Sequence, residues 1–242
     1  MSGAKLVSTP FGGSEESPYE SIMKEVGVED EWCAEAYLGT DYSDITEDML
    51  KKSTQKYLAF RFLNNSLNFE KSISIKRKIV DPKLETVDTL FDVKNGIPSD
   101  KVEVVEHPAS EYFIRYLRPS QTYQGSIAGY VDRRTVDDKH IFGEDTLYVS
   151  TDGQGSHTYS YVSSFEFILN SNVAVLIPKK DMNINEKLYY SLCITINRFK
   201  YSYGRKPKGN RLKTLLIPNI PPAFVYKTIF ENILEDWREI FK

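Results

Sequence analysis

Residues 146–177 read TLYVSTDGQGSHTYSYVSSFEFILNSNVAVLI, a series of short apolar runs cut by Asp-Gly, Gly-Ser, Ser-Ser and Asn-Ser-Asn punctuation. Runs this short, rich in Val, Ile, Tyr and Phe and bounded by turn residues, are strands rather than helices. The stretch therefore predicts strands over Thr146–Thr151, Thr158–Val162, Phe165–Leu169 and Val173–Ile177. Working outward, the same pattern predicts strands at Ile73–Lys76, Val102–Glu106, Tyr112–Leu117 and Ile127–Val131 on one side. On the other it predicts a helix from about Asn185 to Phe199 and a strand over Leu212–Ile217. Pro221-Pro222 opens a last helix with an apolar stripe of Tyr226, Ile229, Phe230, Ile233, Trp237, Ile240 and Phe241. Near the N-terminus, Ser17-Pro18-Tyr19-Glu20 has the form of a capping box and predicts a short helix to about Gly27. A second helix is expected from Thr46 to about Asn64, with Glu47 and Asp48 favourably placed against its dipole.

The pattern predicts an α+β chain: a twisted, mostly antiparallel sheet domain with short strands and flanking helices, preceded by an N-terminal helical segment. Three parts are expected: a loose Gly/Ser-rich terminus over 1–16, an acidic helical segment over 17–70, and the sheet domain with its C-terminal helix over 71–242.

Net charge is −3, which by itself argues against a polyanionic partner, but the charge is segregated. Residues 1–50 carry Lys5 and Lys24 against a dozen acids, whereas Lys187 to Lys227 contains no acid at all. Arg198, Lys200, Arg205, Lys206, Lys208, Arg211 and Lys213 crowd into that second stretch. One end then suits a basic partner or solvent, and the other a polyanion. No apolar run is long enough to span a bilayer and no leader precedes the first residues, so a cytoplasmic protein with no membrane partner is expected. Cys33 and Cys193 have no metal-ligand spacing and read as reduced thiols.

Catalytic chemistry is hard to find. Asn219-Ile220-Pro221-Pro222-Ala223-Phe224 has the ingredients of an adenine methyltransferase loop, but Ile220 separates the Asn from the prolines and Ala223 displaces the aromatic. No glycine-rich strand–turn–helix for S-adenosylmethionine precedes it. His107, His140 and His157 show no ligand spacing, and the acid–lysine pairs, such as Asp92 with Lys94, are scattered. The reading is a chain with no catalytic residues and no metal site of its own.

Three loops stand out instead. Ser150 to Tyr159 combines hinging glycines with Thr151, Asp152, Gln154, Ser156 and His157, which offer both donors and acceptors to base edges. Tyr201 to Arg211 projects Tyr203, Arg205, Lys206, Lys208 and Arg211 from a Gly/Pro turn. Its lysines suit phosphates and its arginines suit phosphates or guanine. A third patch, Gln124 to Arg134, contributes Ser126, Tyr130, Arg133 and Arg134.

The order of these segments resembles the target-recognition domains of specificity subunits in type I restriction-modification enzymes and of their type II relatives. The landmarks are LFDVKNG at 90–96, GSIAGYV at 125–131, LYVSTDG at 147–153, NVAVLIP at 172–178 and YSYGRK at 201–206, closed by Leu212 to Pro218. Together they cover about residues 85–220. The resemblance implies a module that binds double-stranded DNA and supplies recognition only. A partner DNA adenine methyltransferase would bring S-adenosylmethionine, and an endonuclease subunit Mg²⁺, so no cofactor is expected on this chain. It further implies either a homodimer on a two-part site or a single-site enzyme, since ordinary specificity subunits carry two such domains. The acidic segment has no counterpart in the usual domain, and from its charge is expected to dock the methyltransferase. Two other readings stay open: a restriction endonuclease with a fused recognition domain, and an inhibitory protein-binding module that uses the acidic segment.

Overall fold

The computed structural model describes residues 4–6, 24–26, 34–63, 82–153, 155–202 and 204–226. Two four-stranded sheets form its body. The first has the order β6 (Ile127–Asp132), β5 (Phe113–Leu117), β10 (Phe167–Leu169) and β7 (Ile141–Phe142). Its pairings are antiparallel except β5 with β10, which run parallel. The second, antiparallel throughout, has the order β4 (Phe91–Asn95), β11 (Val173–Pro178), β8 (Leu147–Ser150) and β9 (Ser160–Val162). A two-stranded ribbon of β3 (Leu84–Thr86) and β12 (Leu216–Pro218) closes the domain beside them. The fold is α+β with mostly antiparallel sheets, as the strand pattern implied.

Side chains alternate across a strand, so a central strand can feed two cores at once. Ala174 and Leu176 of β11, with Leu147 and Val149 of β8, face the helices. Val173, Val175 and Tyr148 face the other sheet, where they meet Leu117, Phe142, Phe167 and Leu169. A smaller cluster of Ile97, Ile114, Tyr116, Val131 and Ile168 covers the far side of the first sheet.

Helix α3 (Ile184–Ile196) lies on the second sheet. It starts where predicted because Asn183 and Glu186 form a capping box, each side chain bonding the other's backbone N–H at 2.9 Å. Its α-helical part ends at Ile196 and a tighter turn carries on to Lys200. Helix α1 (Glu47–Leu63) buries Leu50, Thr54, Tyr57, Leu58 and Arg61 against this layer.

Several expectations are corrected. Where the first helix was expected to end, Lys24–Val26 is a strand (β2) paired with Ala4–Leu6 (β1). Val102–Glu106 forms no strand. Only Val105 bridges to Tyr130, because Glu103 and Glu106 stay in solvent and Pro108 cannot continue a ladder. Leu212–Ile217 begins instead as a helical turn, Asn210–Lys213, whose carbonyl at Asn210 takes the Thr214 hydroxyl at 2.8 Å, and only Leu216–Pro218 is strand. Phe165 and Glu166 drop out of their strand because the Ser163 hydroxyl donates to the Phe165 carbonyl at 2.6 Å and holds a turn. The strand expected at Ile73–Lys76 and the last helix beyond Tyr226 lie outside the described residues.

Candidate nucleic-acid interface

The loop after β8 folds back on itself over very few residues. Thr158 N–H donates to the Ser150 carbonyl at 2.7 Å, and Ser150 N–H to that of Tyr159 at 2.9 Å. Making that return requires left-handed backbone at Gly153 (φ 99°), Gly155 (φ 75°) and Thr158 (φ 71°). A Cβ on Gly153 would meet the Ser156 hydroxyl, which can rotate aside, so it is the backbone angle that demands glycine there. The loop rests on the segment after β5: Ser120 N–H donates to the Ser150 hydroxyl at 3.2 Å, and Gln121 lies against Gly155.

The basic loop reaches the same place. Lys206 Nζ pairs with Asp152 at 2.7 Å, and Lys208 Nζ donates to the Asn172 side chain at 3.2 Å, while the Asn172 carbonyl takes the Thr151 N–H. Reciprocal backbone bonds between Ser202 and Arg205 make the turn tight. Arg205 lies over the Tyr201 ring at 5.3 Å and donates to the Lys200 carbonyl. Arg198, just after α3, ties the 150–159 loop to that helix: its Nη2 donates to the Gly155 carbonyl at 2.8 Å and its guanidinium lies 4.6 Å over Tyr159. Burial opposes the charge on Asp152, yet its bonds to Lys206 and to the Gly153 N–H hold the carboxyl below its ordinary value. Burial, with Arg205 close by, pushes Lys200 down to about 8.

The predicted residues divide by place. Asp152, His157, Lys206 and Lys208 come together on this face, with Arg205 and Arg211 at its edge, whereas Ser156 is buried and its hydroxyl donates to the Asp152 carbonyl at 3.4 Å. Thr151 and Ser126 are buried, and the Ser126 hydroxyl is held between the Tyr123 carbonyl at 2.5 Å and the Tyr148 hydroxyl at 3.0 Å, out of reach of any ligand. Gln154 and Tyr203 lie outside the described residues. Arg133 and Arg134 are not brought to the face. They follow the far end of β6, seven residues or about 23 Å of strand from Ser126. There Arg133 pairs with Glu166 at 3.1 Å, and Arg134 pairs with Asp132 and stacks on Tyr112 at 4.5 Å. Tyr130 is half-buried on β6 between them.

Sequence reasoning missed Arg118, Gln121 and Asn172. Arg118 is exposed, and the residues that follow it, Pro119 against Gly153 and Ser120 bonded to the Ser150 hydroxyl, set it beside the 150–159 loop. The Arg118-Pro119-Ser120-Gln121 run carries the same polar, turn-forming signal as the loops that were singled out. Among the described residues no group of His, Cys, Asp and Glu is arranged to hold a metal. Among them, too, no helix is long and apolar enough to cross a membrane.

A family model for the type I restriction modification DNA specificity domain matches residues 83–231. The chain belongs to this family. Both loops of the face lie inside the specificity domain, and α1 lies before it. No curated protein matches the chain. Among solved structures, the S subunit of a type I restriction-modification system from M. genitalium is 12% identical, with 80% of this chain and 50% of that one covered and a TM-score of 0.45. The HsdS subunit from Thermoanaerobacter tengcongensis is 9% identical over 80% of this chain and 46% of its own, with a TM-score of 0.43. The type IIG restriction endonuclease BpuSI is 7% identical over 77% of this chain and 28% of its own, with a TM-score of 0.43. The chain spans about half the length of the S subunits it matches.

Proposed function

We propose that this specificity domain reads double-stranded DNA through the face where the 150–159 and 201–211 loops meet, and so directs a partner adenine methyltransferase and endonuclease to their site. The observation that carries the reading is the joining of the two loops by Lys206 and Asp152. It gathers cations from a stretch without acids around a glycine-hinged loop whose backbone and short polar side chains can approach a groove. Lys208, Arg211 and Arg118 are exposed there, as phosphate contacts need to be. His157, half-buried at the loop surface, is the side chain of the loop placed to read edges, and Asp152 orients Lys206. Recognition is the domain's own task; S-adenosylmethionine and Mg²⁺ belong to the partner subunits, in the cytoplasm. The domain acts either as two copies on a two-part site or on a single-part site, and the stoichiometry of the DNA complex tells them apart.

Replacing Lys208 and Arg211 together by Glu tests the reading without disturbing the core, since both are exposed. Binding to a labelled mixed-sequence duplex is expected to fall at least tenfold at about 0.15 M salt, with a shallower salt dependence. Unchanged affinity would overturn the assignment. Incubating the pure chain with plasmid and Mg²⁺ is expected to leave the plasmid intact, and cleavage would favour a nuclease with a fused recognition domain.

A further inference from the structure

Helix α1 lies in the segment whose acids dominate its composition, yet its folded surface is not acidic on every side. At about 100° per residue, Ser53, Lys56 and Phe60 fall along one flank. That flank lines a cleft of about 510 Å³ together with Gln121, Gln124 and Tyr159 and with α3 residues such as Leu188 and Ser191. Among the described residues no carboxylate lines the cleft; its polar groups are hydroxyls, amides and the Lys56 ammonium, beside apolar surface from Phe60, Val162, Leu188 and Leu192. Lys52 lies one turn before Lys56. Among the described residues neither forms an ion pair, whereas Lys51 is tied to Glu47 at 3.4 Å. Glu47 therefore neutralises a lysine on another side of the helix and leaves the cleft flank cationic.

The cleft is continuous with the reading face. Gln121 touches Gly155 and Tyr159 is the ring under Arg198, so both of these lining residues also belong to the loop structure. The helix is fixed in position. Arg61 binds Glu144 at 2.9 Å and Asp145 at 2.7 Å, the Tyr57 hydroxyl also donates to Asp145, and the Phe60 ring lies 4.4 Å from that of Tyr123.

We infer that the cleft-facing flank of α1, through Lys56 with Lys52 beside it, is a second contact with the DNA backbone, holding phosphates that flank the sequence read by the two loops. The exposed ammonium groups of Lys56 and Lys52 suit phosphate oxygens, the rings and hydroxyls of the cleft can lie against sugars, and two separated contacts along a duplex set its register without adding sequence information. The segment expected from composition to dock a protein partner thus presents cations toward nucleic acid. This inference rests on the DNA-reading assignment above.

The test uses the full chain and a mixed-sequence duplex of about 30 base pairs, about three helical turns. Affinity is measured between about 50 and 200 mM KCl. Each lysine–phosphate contact contributes about 0.9 to the slope of log K against log salt, which at about 0.15 M amounts to about fivefold in affinity. Lys56→Ala is expected to lower the slope by about that amount, and Lys52→Ala with Lys56→Ala by about twice as much, with about a thirtyfold loss of affinity. Lys56→Arg retains binding, and Lys51→Ala leaves the slope in place. If the double variant keeps the wild-type slope while Lys208→Glu with Arg211→Glu still weakens binding, the α1 contact is refuted and the reading face stands. If Lys51→Ala acts as strongly as Lys56→Ala, the effect is one of net charge and the contact is refuted. If the wild-type chain shows no salt-dependent binding, the DNA assignment itself fails.

Discussion

Replacing Arg61 by Met tests how α1 is held, because it keeps the apolar stem and removes the charge. The Arg61 side chain is 4% exposed, and its guanidinium reaches Asp145 at 2.7 Å, Glu144 at 2.9 Å and the Tyr57 hydroxyl at 2.8 Å. A fully buried pair broken on one side costs about 3–5 kcal/mol, since a charge is stranded without water. A surface pair costs about 0–1 kcal/mol. Here the cation is buried, but Glu144 and Asp145 are 45% and 40% exposed, so the carboxylates rehydrate once it is gone. Three bonds from the guanidinium are lost, two of them to half-exposed carboxylates, with no stranded charge, which places the cost between the surface and buried limits at about 2 kcal/mol. At about 2–4 °C per kcal/mol for a chain of this size, thermal unfolding should begin about 4–8 °C lower. Arg61→Lys, which can hold one carboxylate but not both, should fall between. Calorimetry or a circular-dichroism melt measures this, and amide exchange should show α1 losing protection ahead of the sheets. A melting shift below about 1 °C, or loss of protection spread evenly over the domain, would refute the idea that this ion cluster anchors the helix.

Two further outcomes follow from the core and from the basic loop. A Cβ at Gly96 would lie 2.3 Å from the Leu169 carbonyl oxygen and 2.4 Å from that of Asn170, so Gly96→Ala is expected to destabilise by about 1–3 kcal/mol, as judged by urea unfolding. Gly143→Ala, where nothing lies within 4 Å, is expected to be close to neutral, and equal effects at the two positions would sink the close-approach account. Lys200, lowered to about 8 by burial and by Arg205, sheds its proton in the folded state while the unfolded chain keeps it to about 10.5. The unfolded state therefore binds more protons between those values, so stability from this group is lowest below pH 8 and rises as pH climbs above it. Urea midpoints at pH 7, 8 and 9 should show the rise in the wild type and its loss in Lys200→Met. An identical profile in both would show that Lys200 is not the group responsible.

The strands around 147–150, 160–162 and 173–178 were legible because their signal is local. Tyr148 between Leu147 and Val149, or Val175 between Ala174 and Leu176, alternates with a period of two, and that period is set by the backbone of each strand alone. Capping of α3 by Asn183 and Glu186 was local in the same way, and so were the two polar loops, each a continuous run of turn residues and donors. The resemblance of their order to a target-recognition domain agrees with the family match, since both depend on sequence order. Tertiary structure alone decided which strands pair. The parallel pairing of β5 with β10, and the single bridge at Val105 where a strand was expected, depend on neighbours distant in the chain. It also decided what each polar residue can touch. Ser126 and Ser156 both looked like available donors in sequence, but packing buried them, the Ser126 hydroxyl between Tyr123 and Tyr148, while the length of β6 carried Arg133 and Arg134 away from the loops they resembled. The lysines of α1 were hidden by the acids of the surrounding segment, because composition averaged over residues 17–70 is acidic although α1 itself carries Lys51, Lys52, Lys56 and Arg61 against Glu47 and Asp48. Local periodicity is written in consecutive residues, but the meeting of Asp152 with Lys206 is a long-range contact that exists only once the sheets and α3 have packed.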